Sequence, residues 1–405
     1  VVYTKDGKTL VSYPLGNSRT SFDIPDGVET VANGAFALIS GQTSSLKEIS
    51  FPLTLKTVEN RAFKDLTLES VTVGFGIEWG SYGFDLAKIR NITVAEGVTE
   101  IPEGFFNGVT GVESVLLPST LKKIGYRAFD RFPMASIQLP EGLVEIGEEA
   151  FENSSLTSVT IPSTVTKIGD RAFYSCGELE KLNIAEGDTE LDLGNYAFNW
   201  CGKLNNIELP ARVKTLGDGV FSMCKSLTDI TMTGVTKLGN STFYGCDALT
   251  EMTMSDTIKE IGNATFMFCS SLKKVTLPAN LAKWGSCTFE CCSSLTEVTI
   301  PDTVTVDSVL EDTFYNCINL VELTLPKSIV RTEPCAFSKC EKLTKIIVKN
   351  TSGNFKRSAF DCYDFNGEGL DGTWVYNEDG SKSYKYDYDF TKDTDKILSA
   401  GGGCC

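Results

Sequence analysis

Histidine is absent from all 405 residues. That removes the commonest general base at neutral pH and the commonest neutral metal ligand. It also excludes serine–histidine and cysteine–histidine catalysis and the His-containing zinc patterns. Basic charge is scarce as well: 37 Lys and Arg stand against 53 Asp and Glu, a net charge of −16. A nucleic-acid partner is therefore not expected, because a phosphate backbone needs a concentrated basic footprint. No apolar run approaches the length of a transmembrane helix. The opening residues, Val1-Val2-Tyr3-Thr4-Lys5-Asp6-Gly7, do not form a signal peptide, and the missing initiator Met fits a processed chain.

What is present is a short repeat. Phenylalanine after a small residue recurs at Phe129, Phe151, Phe173, Phe198, Phe221, Phe243, Phe266, Phe289, Phe314, Phe337 and Phe360, with gaps of 22 to 25 residues. A period of this size, held across so many units, marks a stacked array rather than separate globular domains. One unit reads Ile161-Pro162-Ser163-Thr164-Val165-Thr166-Lys167-Ile168-Gly169-Asp170-Arg171-Ala172-Phe173-Tyr174-Ser175-Cys176. Ahead of it, Val159 and Ile161 alternate with polar residues, as in a strand with one buried face. Pro162 closes that strand, where its missing N–H costs least. A second apolar pair three residues apart follows, such as Val165 and Ile168 or Leu143 and Ile146. The glycine after it (Gly147, Gly169) predicts a positive φ or a close backbone approach. The Ala-Phe segment predicts one turn of helix or 3₁₀. No coil buries its own apolar side, so stacking supplies the core.

Units of this form resemble the BspA-like (Treponema pallidum type) leucine-rich repeats found in surface proteins of bacteria and in some protozoa. The resemblance spans about residues 20 to 362. It implies an α/β solenoid: a curved array with a parallel sheet on its concave face and short helical or 3₁₀ turns opposite. It also implies an adhesin-like role, since several members bind host matrix proteins or other cells. The expected organisation is an N-terminal hairpin and start of the first repeat over 1–22, with Asp6-Gly7 as its turn. The solenoid then runs over 23–362, with an irregular insertion about 64–100, and 363–405 form a cap and acidic tail. The insertion follows from the 43-residue gap between Phe63 and Phe106. Its aromatic stretch, 74–84, reads either as a protruding contact loop or as an elongated repeat whose rings return to the core, the second being favoured. The alternating segment 384–390 predicts an edge strand closing the last coil.

Nine of the 14 cysteines share one repeat position, Cys176, Cys201, Cys224 and Cys246 among them, and predict a buried reduced column. Cys287, Cys291 and Cys335 lie out of register. Cys287 beside Cys291-Cys292 lacks the second pair a structural zinc centre needs, so neither metal nor cofactor is expected. The terminal Gly401-Gly402-Gly403-Cys404-Cys405 resembles the doubly prenylated ending of Rab-type small GTPases. Those proteins are modified through recognition of a GTPase body that this sequence lacks. Cys404 and Cys405 are thus candidate lipidation sites, with a cloning remnant, chance or a structural pair open beside that reading.

Function is expected where the scaffold presents side chains it does not need for packing. On the strands, the outward position before the last apolar residue holds Thr160, Glu208, Thr231, Thr253, Thr276, Thr299 and Thr324. Two residues earlier stand Asp229, Glu251, Lys274, Glu297 and Glu322. Ice binding would need a mostly uncharged face, which this is not. Glycoside hydrolysis would need one acid pair singled out, and none is. The expected function is a non-enzymatic, monomeric scaffold, secreted or on the cell surface, taking a protein or glycan on this face. An intracellular, lipid-anchored interaction protein is the alternative.

Overall fold

In a computed structural model, residues 1–14, 16, 18–38, 42–350, 359–360, 372–376 and 382–386 are described. The expectations for Cys362, for the acidic tail and for Cys404 and Cys405 fall outside them. Two units divide the chain, Val1–Cys246 and Asp247–Cys405.

Each unit is a stack of coils, and the repeat explains both of its strand series. The alternating segments form the longer strands, which pair in parallel and in register: Val159 faces Leu182, and Ile161 faces Ile184. The second apolar pair forms a shorter strand. Lys123–Ile124, Glu145–Ile146 and Lys167–Ile168 line up as one parallel ladder, with Ile124, Ile146 and Ile168 wholly buried. Between the two series the phenylalanines make a continuous column. Phe129, Phe151, Phe173 and Phe198 stack at 5.2, 5.1 and 5.1 Å with planes within 5°. In the second unit Phe266, Phe289, Phe314 and Phe337 stack at 5.6, 5.5 and 5.7 Å.

The expected helical turns are not there: the described residues contain no α-helix, and the fold is a parallel β-solenoid rather than α/β. The reason lies in two left-handed residues per turn, most of them not glycine. Arg127 and Arg131 flank Phe129 at φ 51° and 57°, and Glu149 and Asn153 flank Phe151 at 53° and 56°. A residue in that region ends an α-helix, at a cost of about 1–2 kcal/mol each. The compensation comes from the neighbouring coil. Arg127, Phe129 and Arg131 N–H donate to the carbonyls of Glu148, Ala150 and Glu152 at 3.1, 2.8 and 2.8 Å. The intervening N–H groups close four-residue turns, as Asp130 does on Arg127 O at 3.2 Å. Alternate amides thus point along the stack, which a helix forbids.

Glycine after the short strand serves close approach rather than a positive φ. A Cβ on Gly169 would lie 2.5 Å from Glu148 N, and one on Gly147 would lie 2.8 Å from Ile124 O. The cysteine column is buried with free thiols. Each S–H donates to a phenylalanine carbonyl of the coil before: Cys176 to Phe151 O at 3.1 Å, Cys317 to Phe289 O at 3.1 Å and Cys340 to Phe314 O at 3.0 Å. Burial raises the Cys292 and Cys317 thiols well above their ordinary value, which keeps the donating proton in place. Cys335 differs in being disulfide-bonded.

The stretch 64–100 contains no insertion in the stack. Phe84 fills the column, 5.0 Å from Phe63 and 5.8 Å from Phe106. Trp79 also turns back, edge-on to Phe51 and Phe105 and donating Nε1–H to Gly74 O at 3.2 Å. Phe75 alone of that aromatic cluster stays out, 70% exposed.

Both ends add antiparallel strands. Val2–Tyr3 pairs with Thr9–Ser12 around Gly7, whose φ is 72°. At the other end Lys382–Tyr386 pairs antiparallel with Lys345–Val348 and with Gly372–Tyr376.

Candidate functional site

The outward strand positions are built by the alternation itself. In Asp229–Met232, Ile230 and Met232 are buried, which leaves Asp229 and Thr231 exposed. In the first unit Glu208 lies opposite Thr231, Asn206 opposite Asp229, and Thr160 opposite Asn183. The second unit holds the longer files. Thr253, Thr276 and Thr299 are paired in register, and so are Glu251, Lys274 and Glu297. Glu322 faces Lys345, and Thr324 faces Ile347. Ten of these twelve side chains are exposed; Thr276 and Thr324 are half-buried between their neighbours.

Charge on this face is matched locally. Lys274 Nζ lies 2.9 Å from Glu297, and Lys345 Nζ lies 3.5 Å from Glu322. The Lys274 ammonium is raised above its usual value by its hydrogen bond to Glu297, then by that carboxylate's charge. The face is thus a mixed surface of hydroxyls and paired charges. Such exposed pairs contribute about 0–1 kcal/mol to stability, so they remain free to exchange partners.

A second feature of the same strand face involves the 74–84 stretch, which the sequence raises as a candidate contact loop without showing a groove. In the first unit a groove of about 440 Å³ runs between strands Glu48–Ser50 and Thr67–Val73. Its lining joins Glu48, Ser50, Ser70 and Thr72 with Phe51, Leu53 and Phe75. The Phe75 ring sits over Gly97, where an added Cβ would come within 2.6 Å of it. The only signal in the sequence was Gly74-Phe75-Gly76, an aromatic residue held between glycines.

A comparison with protein-family models matches the BspA-type leucine-rich-repeat region, in six copies, over residues 15–129, 77–192, 191–307 and 305–367. The chain belongs to that family. Among solved structures, a leucine-rich-repeat protein from Bacteroides ovatus is 24% identical. The alignment covers 90% of this chain and 91% of that one, with a TM-score of 0.55. A leucine-rich cell-surface protein from Faecalibacterium prausnitzii is 24% identical over 82% of this chain and 79% of that one, at a TM-score of 0.41. The Treponema pallidum leucine-rich-repeat protein is 26% identical over 46% and 78%, at 0.34. No curated protein matches this chain. Among the described residues no helix is long and apolar enough to cross a membrane.

Proposed function

We propose that this protein is a non-enzymatic recognition scaffold, displayed at the cell surface or secreted, that holds a protein or glycan ligand on its outward strand face. The observation that carries the reading is the division of labour along each strand. Alternate residues build the core, while the others, in register from coil to coil, point outward and are mostly exposed. Hydroxyl files beside exchangeable charges offer many hydrogen-bonding groups at the coil spacing of about 4.8 Å. The groove adds an exposed ring next to hydroxyls and a carboxylate, a combination that engages both an aromatic or aliphatic side chain and the apolar face of a sugar. Family membership supports the same role. The exposed acids are neither paired in a pocket nor singled out, which fits binding better than acid–base chemistry.

The test has two parts. Protease treatment of intact native cells should remove the protein if it is displayed; full protection in intact cells would overturn surface display. The full chain should then be screened against matrix glycoproteins and glycan arrays, with hits compared against Thr253→Arg/Thr276→Arg and against Phe75→Ala. At least a tenfold loss in one of these variants is expected, with unfolding curves unchanged. Hits that bind all variants as tightly as the parent chain would refute the face as the binding surface.

A further inference from the structure

Buried carboxylates in the turns of this fold come with a cation. Four acids are buried among the described residues: Asp85, Asp130, Glu149 and Glu290. Asp85 pairs with Lys64 at 3.0 Å, and Asp130 with Arg131 at 3.8 Å. Glu149 is bonded by Arg127 and lies 3.6 Å from Arg171. Glu290, 5% exposed, has no Lys or Arg partner. Its partner is instead the Cys287 thiol, whose S–H bonds the carboxylate. Cys287, Glu290 and Asp312 bring a thiol sulfur and two carboxylate oxygens within 4.8 Å of one another.

The backbone brings them together. Glu290 N–H closes a turn on Cys287 O at 3.1 Å, which sets both side chains on one side of it. Cys287 and Asp312 occupy the same left-handed position of successive coils, at φ 58° and 53°, and Cys287 N–H donates across to Glu311 O at 3.0 Å. Burial raises all three groups above their ordinary values, Cys287 to about 12 and Asp312 to about 6, with Glu290 and Glu311 adding like charge around Asp312. The Cys287 S–H offsets part of this for Glu290, but no cation accompanies the two carboxylates, and burying them so is costly.

We propose that Cys287, Glu290 and Asp312 form a binding site for a zinc-class divalent cation. A thiolate with two carboxylates suits Zn²⁺ or Co²⁺ and selects against Mg²⁺ and Ca²⁺, which take oxygen alone. Three protein ligands leave a fourth tetrahedral position for water. Cys287 and Asp312 are half-buried, so the ion has a way in. On binding, the metal–sulfur bond replaces the S–H bond of Cys287, and the proton leaves to the buffer; any proton on Glu290 or Asp312 leaves the same way. No group changes oxidation state. Cys291 and Cys292, the neighbours that drew attention in the sequence, are not part of the set.

The experiment is a titration of the reduced full chain with Co²⁺ and Zn²⁺, followed by near-ultraviolet absorbance and calorimetry. One equivalent should bind, with a thiolate-to-cobalt charge-transfer band and proton release that scales with buffer ionisation enthalpy. Cys287→Ser should abolish the band, and Glu290→Gln and Asp312→Asn should each weaken Zn²⁺ binding at least tenfold. The same titration of the Cys404→Ser/Cys405→Ser chain should leave the band unchanged. Absence of saturable binding would overturn the proposal. So would a band that survives Cys287→Ser or one that vanishes in the terminal variant. Should Cys287→Ser fail to fold, near-isosteric Glu290→Gln decides alone, unchanged affinity refuting the site.

Discussion

Phe173→Ala should open a hole that the stack cannot close. The Phe173 ring is wholly buried and lies 5.1 Å from both Phe151 and Phe198. Truncating a buried Phe costs about 3–5 kcal/mol, depending on how far the surroundings collapse. Here collapse is opposed on both sides. Phe151 N–H donates to Ala172 O at 2.7 Å and Phe173 N–H to Ala197 O at 2.8 Å, so the backbone ladder holds the coils at their spacing whatever side chain stands between them. The loss should therefore lie near 5 kcal/mol, which includes two ring contacts of about 0.5–1.5 kcal/mol each. In a stack whose coils touch only their neighbours, that loss should be local. Hydrogen exchange under native conditions should show amides of the Phe151, Phe173 and Phe198 coils losing protection, while coils near Phe63 keep theirs. Phe173→Leu, which refills much of the volume, should recover more than half. A loss below about 1 kcal/mol, or an equal loss of protection throughout Val1–Cys246, would refute the reasoning.

Gly169→Ala should destabilise by about 1–3 kcal/mol, because its Cβ would meet the backbone of the preceding coil, which cannot step aside; an unchanged urea midpoint would refute this. Arg212 is buried and donates to Ala185 O, Val165 O and Pro162 O at 2.8, 2.6 and 3.1 Å. Arg212→Met orphans those carbonyls and should lower stability by about 1–3 kcal/mol, read from thermal unfolding. The Asp312 carboxyl, held at about 6 by burial and by the charges of Glu290 and Glu311, binds its proton more tightly folded than unfolded. The stability it contributes is complete below about pH 4 and is lost as pH rises through about 6. In chelator, Asp312→Asn should flatten that fall in a urea series; an identical slope would refute it. Glu149 acts in the opposite sense. Burial raises its carboxyl, but the bonds from Arg127 and Tyr126 outweigh that and leave it lowered. Its contribution should fade as pH falls into the acid range, and Glu149→Gln should remove that part of the acid transition.

Much of this was legible in the residues because the repeat sets burial directly. The phenylalanine and cysteine columns, the alternating strands and the outward threonines need only the period and the rule that side chains alternate along a strand. The turns were hidden because most of their left-handed positions carry ordinary residues rather than glycine. Arg127, Glu149, Arg171 and Tyr196 at φ 51° to 58° look like helix formers, and what holds them there is hydrogen bonding to a coil 22 to 25 residues away. Local propensity was right for each residue and lost to the stack. Phe84 was passed over for a smaller reason: it follows Phe63 by 21 residues, just short of the 22 to 25 that the regular series keeps.

The candidate sites follow the same division. The outward face was readable because it is the complement of the core, and solvent makes no demand on it beyond polarity. The Cys287 cluster was only partly readable: Cys287 stands out of register in the sequence, but the partners it suggests there are Cys291-Cys292, whereas Glu290 and Asp312 are ordinary at their own positions. Position by position, the column that holds Arg127, Glu149 and Arg171 in the first unit alternates charge and neutralises itself. The equivalent repeat position in the second unit holds Cys287 and Asp312, with Glu290 beside them and no guanidinium to alternate with. One geometry thus gives a closed ion-pair ladder in one place and a thiol–carboxylate cluster without a cation in the other. That contrast lets electrostatics, rather than residue identity alone, locate the cation site.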